Sequence, residues 1–294
     1  MNAESATNAQ TPRYEYTLDL NGETAKAKVA RLVGRGKRVL EIGCASGAMT
    51  RCLVGELGCS VTGIEINETD AELSAPLCTE MLIGDIEQLD LATRFAPCTF
   101  DVITFADVLE HLRDPVAALR RVRPLLKPEG YVAVSVPNIA HAGLVFELAK
   151  GRFEYRPLGL LDDTHIRFFT KQSLLWAFER AGYAVTQVDR TVLDPQHTEF
   201  DVTPADEAER SLLQYLLNKH PESRTYQFVV KGVPIGDEDG RVSAAIDAMQ
   251  AQMHALQARL DEESKRRKTA ESQLRWMERR SPLTLLRRVL GKAT

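Results

Sequence analysis

Apolar residues fall in short blocks along the first 235 positions, and longer amphipathic stretches separate them. The blocks are Val39 to Ile42 (broken by Glu41), Val61 to Glu65, Met81 to Ile86, Phe100 to Phe105 and the run through Tyr131 to Val134. Such runs, bounded by glycine and polar turns, predict strands buried on both faces, as in a parallel sheet. Ala25 to Val33 reads as a helix closed by Gly34-Arg35-Gly36, and a second helix starts near Ala48. Pro115 to Leu126 reads as a third, with proline in its opening turn and a Lys-Pro stop. Lys171 to Ala181, entered by Thr170, is a fourth, and Ala205 to Asn218 a fifth. Tyr183 to Val192 and Tyr226 to Val233 are rich in β-formers. Strands alternating with helices predict βαβ units with right-handed crossovers.

The pattern changes after residue 240. Val242, Ile246, Met249, Met253, Leu256 and Leu260 recur in steps of four and three, the seam of a coiled coil. The same register continues through Glu263 and Arg267 to Ala270, Leu274 and Met277, and the charged interruption leaves a solvated single helix as the alternative. Leu283 to Lys292 is short, basic and amphipathic, suited to an anionic membrane surface, to a partner, or to packing back on the helix before it. The expected division is a disordered leader over 1–12, an α/β body over 13–235, a coiled coil over 241–280 and a basic tail over 281–294. A second copy of the chain is the expected partner of the coiled coil.

Charge reinforces this division. The 294 residues carry a net charge of −4, yet residues 241–294 hold 12 Lys and Arg against 6 Asp and Glu, which leaves the first 240 at −10. An acidic body excludes a broad nucleic-acid face. Five cysteines without a C-x-x-C pair indicate neither a disulfide framework nor a zinc knuckle. Residues 1–12 lack the basic and apolar regions of a secretory signal, and no apolar run reaches the ~20 residues of a membrane span. The expected location is cytoplasmic, with the tail able to reach the inner face of the membrane.

Chemistry enters at Glu41-Ile42-Gly43-Cys44-Ala45-Ser46-Gly47. Small residues between strand and helix permit a tight turn with free N–H groups aimed at a ligand. A diphosphate would not want an acid two residues ahead of Gly43; a cationic ligand would. Glu65, ending the second strand 22 residues after Gly43, stands where nucleotide folds place the carboxylate for ribose hydroxyls. With Gly84-Asp85-Ile86, Ala106 to Leu112 and Leu126 to Val134, these motifs resemble, in order, those of class I S-adenosylmethionine-dependent methyltransferases, over about residues 14–232. The resemblance implies a Rossmann-like sheet of seven strands, mostly parallel with an antiparallel last strand. It implies S-adenosyl-L-methionine as cofactor, held by Glu41, Gly43, Ala45, Gly47, Glu65, Ile66, Asp85, Ile86 and Ala106.

Residues 137–170 depart from simple alternation and read as a lid on the acceptor side. Leu161 to Thr170 and Tyr14 to Leu20 resemble a bacterial subgroup associated with surface-polysaccharide glycosyltransferases, which implies a glycan hydroxyl as acceptor and a glycosyltransferase as partner. A quinone-like phenol or another small molecule is the alternative acceptor, and a coiled-coil scaffold with a vestigial cofactor fold the alternative function. Hydroxyl acceptors call for a general base. His111, His165 and Asp107 are the catalytic candidates, with the capping of a loop the alternative for His165. Asp107, Glu110 and His111 form D-x-x-E-H, similar to the metal-binding E-x-x-E-H of ubiquinone-pathway O-methyltransferases. Aspartate is one methylene shorter at the first position, and no metal ligand is assigned.

Overall fold

The computed structural model describes residues 17–236. Seven strands form one sheet: β1 (Arg38–Ile42), β2 (Ser60–Glu65), β3 (Glu80–Ile83), β4 (Phe100–Ala106), β5 (Leu126–Pro137), β6 (Tyr183–Val192) and β7 (Thr225–Pro234). Their order is β3-β2-β1-β4-β5-β7-β6. The first five pair in parallel, and β7 runs antiparallel to both β5 and β6. From β1 the chain builds outward through β2 and β3, then returns to place β4 on the other side. The crossovers part there, at the carboxyl ends of β1 and β4, and that is where open α/β sheets bind ligands.

Among the described residues there are eight α-helices: α1 (Ala25–Val33), α2 (Ala48–Gly55), α3 (Glu68–Ser74), α4 (Leu91–Arg94), α5 (Pro115–Val122), α6 (Ala142–Ala149), α7 (Lys171–Arg180) and α8 (Glu207–Lys219). Strand alternation divides the core into two layers. Leu40, Ile103, Val132, Val134, Phe228 and Val230 share one cluster with Leu119 and Val122 of α5 and with Leu174 and Phe178 of α7. The residues next to them in sequence, Val39, Val102, Ala133 and Val229, share the other with Ala27, Ala30 and Val33 of α1 and Met49 and Leu53 of α2. Each large side chain so buried contributes about 1.5–3 kcal/mol, far more than the propensity of these short helices supplies.

Among the boundaries that differ from the expected ones are the ends of α5 and β3. Helix α5 ends at Val122 rather than Leu126, because Pro124 has no N–H to continue the ladder; Arg123–Leu125 tightens into a 3₁₀ turn and Leu126 opens β5. Strand β3 ends at Ile83, because Gly84 takes a φ of 153° and Asp85 turns the chain by accepting the Glu87 N–H at 2.8 Å. Helix α7 starts as expected at Thr170, whose hydroxyl and Ser173 form a reciprocal capping box.

The segment 137–170 is a packed layer over much of its length. Leu144 and Phe146 of α6 build a third core with Leu160, Leu161, Phe200 and Val202, flanked by Leu212, Leu213 and Leu216 of α8. The Asn138 amide donates to the carbonyls of Glu222 (3.1 Å) and Thr225 (2.8 Å), and Phe169 is buried in the main core. His141 caps α6 and reaches the Leu193 carbonyl at 2.9 Å. Among the described residues, no helix is long and apolar enough to cross a membrane. The leader, Tyr14 to Tyr16, the 241–280 coiled coil and the 281–294 tail lie outside the described residues.

Candidate active site

A cavity of about 1070 Å³ opens over the carboxyl ends of β1, β2 and β4. Its wall includes Glu41, Gly43, Ala45, Glu65, Ile66, Asp85, Ile86, Ala106, Asp107, His111 and His165, every site residue expected from the sequence except Gly47. A space of that size admits a nucleoside cofactor and an acceptor together. Gly47 instead caps α2 in the left-handed conformation (φ 84°), pressed against Ser74 and Leu77. Gly43 is left-handed too (φ 74°), and a Cβ there would stand 2.7 Å from Val108, so the turn closes only with glycine.

Glu65 ties the β1 turn to the end of β2. Its Oε2 accepts the Ala45 N–H at 2.8 Å, while Oε1 accepts those of Ile66 (2.8 Å) and Asn67 (2.9 Å). A carboxylate offers about four acceptor positions, so roughly one is left for a ribose hydroxyl. Beside it, Ile66 is 67% exposed on the cavity wall, an apolar surface that a flat purine would cover. Asp85 completes this end of the cavity, its carboxylate engaged by the Glu87 N–H and by the Gln88 amide (2.9 Å).

Glu41 lies fully buried, with the Thr50 hydroxyl donating to Oε2 at 2.8 Å. Burial pushes its pKa up to about 8, and the Thr50 hydrogen bond opposes this only in part. At neutral pH the acid is therefore largely protonated until a cation arrives and draws the proton off. Binding of a cationic cofactor is expected to tighten with rising pH, by at most ~tenfold per unit, and to level off above about pH 8. Titration calorimetry at pH 7 in buffers of different ionisation enthalpy should show proton release that Glu41→Gln abolishes. Equal affinity at pH 6.5 and 8.5 would contradict this assignment.

The β4 end holds a different chemistry. Asp107, at a strained φ of 56°, accepts from the Ser135 hydroxyl (2.6 Å) and the Gln227 amide (2.9 Å), with the Lys26 ammonium 3.7 Å away. So occupied, it braces the loop after β4. Glu110 is the reverse case: it is 1% exposed, and neither carboxylate oxygen has a hydrogen-bond partner. Burial, and then the charge of Asp107, hold its pKa well above the ordinary carboxylate range.

His111 and His165 stand edge to face beside it, ring centroids 4.8 Å apart. His111 Nδ1 lies 3.1 Å from both the carbonyl and the hydroxyl oxygen of Thr164, and His165 Nδ1 lies 3.2 Å from the Leu160 carbonyl. A carbonyl can only accept, so each neutral ring carries its proton on Nδ1 and keeps the lone pair on Nε2. Burial, and then His165, lower the His111 pKa and favour that neutral form. One ligand atom from each of Glu110, His111 and His165 lies within 4.8 Å of the others, a set that could hold a metal ion. Asp107 is not in this set. The D-x-x-E-H stretch contributes only its last two members, and His165 joins them from the 158–166 stretch.

That stretch is stitched to the β4 loop. The Ile166 and Arg167 N–H groups both donate to the Glu110 carbonyl at 2.9 Å, and the Arg167 guanidinium donates to the Arg113 carbonyl at 2.6 and 3.0 Å. Gln227 and Lys26 on the wall were not anticipated from the sequence. Gln227 arrives from β7 through an antiparallel pairing with Pro137, a register that no local pattern announces.

Comparison with known proteins agrees with this geometry. The family profile described as a methyltransferase domain matches residues 16–188. Ubiquinone biosynthesis O-methyltransferase from Pseudomonas aeruginosa is 31% identical over 168 residues, 54% of this chain and 70% of that protein. The enzyme of the same name from Stutzerimonas stutzeri is 30% identical over 166 residues, again 54% and 70%. In fold, the chain is similar to a SAM-dependent methyltransferase from Archaeoglobus fulgidus (TM-score 0.51, 18% identity, 70% of this chain and 91% of that one). It is equally similar to the [4+2]-cyclase SpnF (TM-score 0.51, 17% identity, 76% and 84%), so the fold alone does not name a reaction. The motifs, the cavity and the matching family together identify the chain as a member of the class I S-adenosylmethionine-dependent methyltransferases.

Proposed function

We propose that the enzyme methylates a hydroxyl oxygen of a small, phenol-like acceptor, with His111 receiving its proton. The observation that carries the proposal is an imidazole at the β4 end of the cavity whose Nδ1 is held by the Thr164 carbonyl, which leaves Nε2 to accept a proton. When bound, S-adenosylmethionine supplies an already electrophilic methyl group, so the protein's task is to align the acceptor, exclude water and hold one proton. An imidazole of lowered pKa is a weak base. It suits a phenol, which ionises near pH 10, better than a sugar hydroxyl, which is far less acidic. The two relatives compared above are named for ubiquinone biosynthesis, not for polysaccharide assembly. Both considerations move the reading from the glycan hydroxyl favoured by the sequence to the small-molecule alternative.

The orphaned Glu110 carboxylate supports a second reading of the same site. Both imidazoles give Nδ1 to backbone carbonyls, as metal-ligating histidines do, and a divalent cation held by Glu110, His111 and His165 would order the acceptor oxygen. Methyl transfer from radiolabelled cofactor to phenols, catechols, nucleotide sugars and lipid-linked glycans tests the acceptor class. Labelled phenols or catechols are expected; label confined to the sugars would overturn the proposal.

A further inference from the structure

Two cysteine thiols converge beside the cofactor turn. Glu41 of β1 lies opposite Gly63 of β2, and Gly63 lies opposite Met81 of β3, so Gly63 sits between the turn after β1 and the chain entering β3. A Cβ at Gly63 would stand 2.7 Å from the Cys44 sulfur and 3.1 Å from the Cys78 sulfur, which places both sulfurs around one side-chain position left empty by glycine. Cys44 is buried, its sulfur 3.5 Å from the Glu41 carbonyl oxygen, and belongs to the cavity wall; Cys78 is half-buried and lies off it. Cys52 and Cys59 are buried elsewhere in the core, and Cys98 is exposed.

We propose that Cys44 and Cys78 are a peroxide-sensitive pair whose disulfide disables the S-adenosylmethionine site. The inference rests on the cofactor turn and is independent of the acceptor. Hydrogen bonding from Cys44 pulls the Cys78 thiol down, which makes Cys78 the better nucleophile as well as the more accessible one. Its thiolate attacks one oxygen of hydrogen peroxide; the O–O bond breaks, hydroxide leaves and a sulfenic acid forms. The Cys44 sulfur then attacks the Cys78 sulfur, the S–OH bond breaks, and the thiol proton leaves with hydroxide as water. Two thiols are oxidised to one disulfide, and one peroxide is reduced to two waters.

A disulfide requires the sulfurs to close to about 2.05 Å with a fixed torsion. Cys44 stands between Gly43 and Ala45, and its carbonyl accepts the Gly47 N–H at 2.9 Å. Drawing it towards Cys78 displaces the turn whose Ala45 N–H meets Glu65.

The test treats the full chain with about one equivalent of hydrogen peroxide, maps the peptides by mass spectrometry and measures S-adenosylmethionine affinity by calorimetry. A peptide linking Cys44 to Cys78, an affinity at least ~tenfold weaker and recovery with dithiothreitol are expected. Cys78→Ser, with Cys78→Ala as a second variant, should bind as wild type before treatment and keep its affinity afterwards. The proposal is overturned if oxidation stops at Cys98 or as sulfinic acid at Cys78. It is equally overturned if the linked protein binds undiminished, or if the Cys78 variants lose affinity as wild type does.

Discussion

Glu65→Ala is expected to weaken S-adenosylmethionine binding by about a hundredfold or more, roughly 3 kcal/mol, and to lower the melting temperature of the empty protein. The binding loss has two sources. One charge-assisted bond to a ribose hydroxyl goes, worth about 1.5–3 kcal/mol. The turn also loses its brace, because the Ala45, Ile66 and Asn67 N–H groups all end on this carboxylate. Ordering that turn must then be done by the cofactor, and the cost appears as lost affinity. Glu65→Gln separates the two. Its remaining oxygen can keep the Ile66 and Asn67 N–H groups, but its NH₂ would face the Ala45 N–H, donor against donor. Gln is therefore expected to fall between wild type and Ala in stability while binding nearly as weakly as Ala. Calorimetry and thermal unfolding on the three proteins decide the matter. Unchanged affinity in a folded Glu65→Ala would remove the residue from the site.

The sheet and the cofactor half of the cavity were legible in the sequence because their signals are local. Glu41 interrupts an apolar run near its end, Gly43, Glu65 and Asp85 follow or end one, and a strand in a parallel sheet delivers its carboxyl end to the same side as its neighbours. Gly47 shows the limit of that logic. The pattern offers it as a ligand contact, whereas it lies off the cavity wall and caps α2 with a left-handed φ, where a Cβ would stand 3.0 Å from Ser74 and Leu77. Glu41 shows another: a pattern reveals an acid beside the turn but not that burial pushes its pKa up to about 8. The acceptor half was less legible because its groups meet across long separations. His111 finds Thr164 and His165 some fifty residues away, and Asp107 finds Gln227 from the antiparallel strand β7. Nothing in D-x-x-E-H says that its aspartate is tied off by Ser135 and Gln227 while its glutamate lies buried without a partner.

His111→Ala is expected to lower kcat by about 10²–10⁴-fold, the range removed with a general base, and to change S-adenosylmethionine affinity only a few-fold. The split follows from position: His111 is held by Thr164 at the β4 end, whereas Glu41 and Glu65, the carboxylates expected to meet the cofactor's charge and ribose, stand on β1 and β2. The pH profile gives an independent readout. Because burial and His165 lower its pKa, His111 keeps its free Nε2 into mildly acid solution. The acid limb of the wild-type kcat profile should therefore fall below pH 6.5, the ordinary histidine value, and vanish in the variant. Glu110→Gln then distinguishes a base acting alone from a metal-organised site. The glutamine is nearly isosteric with the protonated acid that burial favours, so if His111 acts alone, much of the activity should survive and a chelator should have no effect. If Glu110, His111 and His165 hold a divalent cation, Gln removes an anionic ligand. Chelator should then abolish wild-type activity, Mg²⁺ or Mn²⁺ should restore it, and Co²⁺ should give a ligand-field spectrum that Glu110→Gln loses. A His111→Ala variant that loses cofactor affinity in proportion to turnover would move His111 out of the acceptor side altogether.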